Sequence, residues 1–111
     1  MVRVDESVLA EVVRRVVAAA QPEKIIVFGS AARGEVRAGS DLDLLVVKRE
    51  PGDRGRLVER IYMSLLGVGQ AVDVVVVTPE ELDRYRDVEY LVVGPALREG
   101  RVVYERRAAA A

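Results

Sequence analysis

The chain has 111 residues, half of them hydrophobic and 32% charged, with a formal net charge of −1. That is enough for one domain with one core, and it supplies no basic field to draw the chain to nucleic acid. There is no cysteine and no histidine, which excludes disulfides, thiol catalysis and zinc–cysteine sites. It also removes the commonest general base, so chemistry must run on carboxylates, hydroxyls, arginines and bound metal.

The first residues, Met1 to Glu6, lack a signal-peptide core, and no apolar run approaches the roughly 20 residues of a membrane span. A cytoplasmic protein with no membrane partner is expected. Asp5 is placed to cap a helix over about 6–20, where Leu9, Val12, Val13, Val16, Val17 and Ala20 recur at helical spacing. Gln21-Pro22 ends it, and Lys24–Phe28 follows as a short buried strand. Gly29 breaks that strand. Residues 30–35 read as a short helix, 37–40 as a turn, and about 41–48 as a second strand.

Asp53 caps the next helix, whose apolar positions are Leu57, Val58, Ile61, Tyr62 and Leu65. Gly67 and Gly69 end it, and Ala71–Val77 is a third strand. Thr78-Pro79-Glu80-Glu81 is a helix start with a cap, a proline at the first position and a glutamate at the third. That helix should run to about Asp87. Gly94-Pro95 divides 88–99 into two short helical pieces, and Val102–Tyr104 reads as a last strand. The apolar residues from Tyr85 to Val93 read first as core packing and second as a partner surface. Residues 1–105 are expected to form one domain, and 106–111 a frayed tail. The order of elements predicts an α/β (α+β) architecture, a mixed sheet of about four strands flanked by helices.

Three places carry chemistry. Gly29-Ser30 turns straight out of an apolar strand and is followed by Arg33-Gly34, so helix-start amides lie near a guanidinium in a phosphate-friendly arrangement. Asp41 and Asp43, two residues apart, share one face of a strand anchored by Leu44-Leu45-Val46-Val47. Adjacent carboxylates repel unless something positive lies between them, and a divalent ion such as Mg²⁺ takes oxygen ligands of this kind. Taken singly, the first is a strand terminator and the second a solvated strand end. Asp73 is the third place, a charge inside Val72–Val77. It is either paired with an arginine, or on an edge strand facing water, or part of the cluster with Asp41 and Asp43 if the two strands are neighbours. Three carboxylates holding divalent cations suit two-metal phosphoryl transfer, with Asp73 as the base.

Residues 28–47 resemble the signature of the nucleotidyltransferase superfamily related to DNA polymerase beta: Gly-Ser, about ten residues, then Asp-x-Asp, with a third acid on a later strand. Gly29, Ser30, Asp41, Asp43 and Asp73 match. Arg33, Gly34, Ser40 and Leu44 fit the form seen in minimal nucleotidyltransferases, and the first helix and the closing Glu99–Glu105 are also similar to those proteins. The resemblance implies transfer of AMP from ATP to an acceptor hydroxyl, with two Mg²⁺ ions. Asp41, Asp43 and Asp73 would be catalytic and metal-binding. Gly29, Ser30, Arg33, Gly34 and Ser40 would be nucleotide-binding.

Larger relatives carry a domain for the acceptor, and this sequence leaves no room for one, so a partner is expected. Minimal nucleotidyltransferases pair with small helical HEPN proteins as the antitoxin of a toxin–antitoxin system, and some attach AMP to a tyrosine of the toxin. The alternatives are a metal- and nucleotide-binding subunit that neutralises a HEPN protein by contact, and an enzyme for an aminoglycoside-like acceptor completed by a homo-oligomer. Net charge and the lack of a basic stripe argue against a nucleic-acid substrate.

Overall fold

The structure is a computed structural model that describes residues 5–29, 41–85 and 100–106. Helix α1 (Glu6–Ala20) starts at Asp5, whose Oδ1 accepts from the Ser7 N–H at 2.9 Å and the Ser7 hydroxyl at 2.6 Å. It stops at Gln21, which enters the left-handed region at φ 48° and returns its N–H to the Val17 carbonyl. Its buried stripe is Leu9, Val12, Val16 and Ala20, the spacing read from the sequence.

Strand β1 (Lys24–Phe28) runs antiparallel to β2 (Leu42–Val47), from Lys24 opposite Val47 to Phe28 opposite Asp43. Helix α2 (Arg54–Ser64) follows, capped by Asp53, and leads into β3 (Val72–Val77), which pairs parallel with β2. Helix α3 (Pro79–Tyr85) forms the expected capping box: Thr78 Oγ1 accepts from the Glu81 N–H, and the Thr78 N–H donates to the Glu81 carboxylate. Strand β4 (Arg101–Glu105) closes the described part, antiparallel to β1 with a register shift between Ile25 and Ile26. The sheet order is β3-β2-β1-β4, so among the described residues β2 and β1 are central and β3 and β4 are edges. This is the four-stranded mixed sheet with flanking helices that the sequence predicts.

Alternation along β2 divides the core in two. Leu42, Leu44 and Val46 face α1 and α2, joining Leu9, Val12, Val16, Leu57 and Ile61. Leu45 and Val47 face the other way, with Ile26, Val77 and Leu82 of α3. A strand covered on both faces reads as a near-continuous apolar run, which is why Leu44–Val47 shows no polar alternation. The C-terminal end of α2 is tied to α1 by Arg15, whose Nη1 donates to the carbonyls of Ser64 at 3.3 Å and Leu66 at 2.9 Å. Among the described residues, no helix is long and apolar enough to cross a membrane.

Two sequence expectations change. Tyr62, placed by spacing on the apolar face of α2, is 39% exposed, and its phenolic oxygen accepts the N–H of Val74 at 2.9 Å. The stripe's border, not its centre, falls at position 62. The second strand starts at Leu42, with Asp41 just ahead of it. The expected short helix at 30–35, the turn at 37–40, the end of the fourth helix at 86–87, the helical pieces over 88–99 and the apolar surface reaching to Val93 lie outside the described residues, as does the tail from Arg107.

Candidate active site

The two central strands and the edge strand β3 bring their functional residues to one end of the sheet. β1 ends at Phe28-Gly29, and Phe28 lies opposite Asp43. β2 begins at Leu42, and the Leu42 N–H donates to the Ala71 carbonyl at 2.9 Å, fixing the heads of β2 and β3 together. The register then sets Asp43 directly beside Asp73. Neighbouring strands lie about 5 Å apart and register partners share a face, so these two carboxylates stand side by side. Both occupy odd positions, on the face of Leu45, Val47 and Val77, away from α1 and α2. Asp41, two residues before Asp43, belongs to the same face by alternation.

Asp73 is exposed, Asp43 half-buried and Asp41 exposed. The expected burial cost of Asp73 does not arise, because β3 is an edge strand and the residue is only its second position. Of the readings open for it, edge exposure and membership of the acidic cluster hold together. Asp43 carries the electrostatic signature of the cluster. Its carboxyl is pushed above the ordinary value of 3.8, first by burial, then by the charge of Asp73, then by that of Asp41.

Gly29 completes the cradle. Its φ is +71°, a conformation strained for any side chain, and a β-carbon there would stand 2.5 Å from Asp43 Oδ2, so a side chain fits only if the Asp43 carboxylate moves. The backbone after β1 thereby passes directly beside the Asp43 carboxylate. Ser30, Arg33, Gly34 and Ser40, the remaining sequence-predicted nucleotide-binding residues, lie outside the described residues.

The donor set suits a hard divalent cation: three carboxylates, with bare backbone beside one of them. Among the described residues, no group of three or more His, Cys, Asp or Glu side chains is gathered closely enough to hold an ion. A groove of about 560 Å³ lies elsewhere, between α1 and β4, lined by Leu9, Val13, Val17, Val102 and Tyr104. It contains none of these aspartates, and the two arginines in its lining, Arg14 and Arg101, are paired with Glu11 and Glu6.

The family profile of the nucleotidyltransferase domain matches residues 9–106 of this chain. The chain belongs to the nucleotidyltransferase domain family. The match takes in α1 from Leu9 onward, the four described strands and every aspartate of the cluster. A Sulfolobus solfataricus protein, whose crystal structure is described as that of a candidate nucleotidyltransferase, has the same fold. It shares 24% identity with a TM-score of 0.60, over 90% of this chain and 79% of that one. No curated protein matches the chain. As a nucleotidyltransferase domain, the chain has its carboxylates on the heads of two adjacent parallel strands, with Gly29 at the end of the third.

Proposed function

We propose that this nucleotidyltransferase domain transfers AMP from ATP, with Mg²⁺, to a hydroxyl on a partner protein. The observation that carries the reading is the register of Asp43 beside Asp73, with Asp41 two residues ahead on the same face. A carboxylate whose proton affinity is raised by burial and by the charges of two neighbouring carboxylates, as at Asp43, is a poor structural element, and it is useful where a cation is to be bound. Asp41, Asp43 and Asp73 would hold the metal, which when bound supplies positive charge against the triphosphate.

The chain's own residues do the rest. Gly29 lets the backbone approach the phosphates without a side chain in the way. Asp73, exposed on the edge strand, is open to an acceptor arriving from solution and takes the proton of its hydroxyl. The acceptor oxygen bonds to the α-phosphorus, the bond from that phosphorus to the bridging oxygen breaks, and pyrophosphate leaves with the electron pair. The form of the Gly29–Asp43 motif, similar to minimal nucleotidyltransferases, supports a small helical HEPN protein as the acceptor and an antitoxin role for this chain.

Incubation with α-labelled ATP and Mg²⁺ tests this, with the purified chain alone, with the product of a neighbouring gene, and with aminoglycosides. Label on the partner protein that disappears in Asp41→Asn is the expected result. Silencing of the partner without label, equally effective in Asp41→Asn, would replace transfer by neutralisation through contact. Label on an aminoglycoside alone would move the acceptor to a small molecule.

A further inference from the structure

An edge strand in parallel pairing turns every second residue's amide away from its neighbour, and those amides need another partner. β3 is such a strand. The N–H of Val74, the residue after Asp73, is one of these amides, and it finds the phenolic oxygen of Tyr62 at 2.9 Å. Tyr62 comes from α2, which packs on the face opposite Asp73. Its ring therefore meets β3 at the rim of the sheet and stays 39% exposed.

The mounting of Tyr62 is firm. Ile61, beside it, is fully buried, and Arg15 grips the carbonyls of Ser64 and Leu66 just beyond it. The hydrogen bond therefore joins a fixed helix to the strand that carries Asp73, which among the described residues has a neighbour on only one side.

We propose that Tyr62 is a positioning residue: its phenolic oxygen holds Val74, and through the adjoining peptide it keeps the Asp73 carboxylate beside Asp43. This rests on the reading of Asp41, Asp43 and Asp73 as a cation site. A ring that merely covered the sheet edge would do so equally well without its oxygen. Tyr62→Phe keeps the ring and removes the bond, so it separates the two roles.

Mn²⁺ binding followed by electron paramagnetic resonance reads the site without any need for turnover. Wild type, Tyr62→Phe, Asp43→Asn and Val58→Ala are compared. Val58 is half-buried on the same helix, packs against the same core and makes no bond to β3. It serves as a control for lost stability. Asp43→Asn shows that the ion counted is the one at this site. Tyr62→Phe should weaken Mn²⁺ binding by about tenfold, the lower range for residues that orient metal ligands, and should speed hydrogen exchange at the Val74 amide. Val58→Ala should lower the Tm while its Mn²⁺ affinity stays within about twofold of wild type. Wild-type affinity in Tyr62→Phe, or an equal loss in Val58→Ala, overturns the proposal for Tyr62 alone. Failure of the wild-type chain to bind Mn²⁺ overturns the cation site and the proposal together.

Discussion

Gly29 lies so close to Asp43 that a β-carbon on the first would stand 2.5 Å from Oδ2 of the second. Gly29→Ala should therefore act twice. The left-handed backbone costs about 1–2 kcal/mol, and the new methyl pushes the Asp43 carboxylate aside. A double-mutant cycle with Asp43→Ala, measured by urea unfolding, should show a coupling of about 0.5–3 kcal/mol, because the second substitution removes the group the methyl strikes. Strict additivity would mean that the close approach has no energetic weight.

The raised carboxyl of Asp43 fixes the sign of a second prediction. Its folded-state proton affinity exceeds its unfolded one, so the stability it contributes is fully present below its ordinary value of 3.8. That stability is lost as pH rises through the elevated value. Asp43→Asn should melt higher than wild type at pH 7 without divalent metal, and the advantage should vanish in acid. Saturating Mg²⁺ should reverse the order. A ligand at 100 times its Kd adds about 2.7 kcal/mol to the protein that binds it, and only the wild type would benefit.

Glu11 gives the opposite sign at a distance from the site. Arg14 and Arg15 both donate to its carboxylate and hold it down to about 2 from an ordinary 4.5. Its contribution is present above 4.5 and lost as pH falls toward 2. Thermal melts between those values should show a smaller acid-induced drop in Glu11→Gln than in wild type.

Thr78 anchors the helix on the site's face of the sheet. Its hydroxyl oxygen accepts the Glu81 N–H at 3.2 Å, and Leu82 of the same helix packs on Leu45 and Val47. Thr78→Ala should cost about 1 kcal/mol, the usual weight of an N-cap. Thr78→Ser should recover most of it, with urea midpoints as the measure.

The sequence carried most of the local structure, because caps and periodicity are local signals. Asp5, Asp53 and Thr78 mark three helix starts, and all three appear where the pattern puts them. Asp41 and Asp43 could be assigned to one face by alternation alone. The position of β3 could not be read in the same way. Val72–Val77 has the composition of any strand in a parallel sheet, and nothing within it says whether it has one neighbour or two. The exposure of Asp73 therefore emerged only with the sheet order. Tyr62 was hidden for a related reason: helical spacing sees its ring, whereas its use depends on an amide twelve residues away. Arg15, between the apolar positions of α1, reaches the end of α2 across 49 and 51 residues of chain, a contact no local pattern marks.

The division of the carboxylates between a central and an edge strand sets an order in which the site comes apart. Asp43 rides on β2, which is buried on both faces and paired on both sides. Such a strand exchanges its amide protons only when the whole molecule opens. Asp73 rides on β3, which among the described residues is paired on one side only, so an opening confined to β3 would leave a folded protein with two of its three carboxylates in place. Nucleotide-dependent chemistry would then be lost at temperatures where the overall helix and sheet content is still intact.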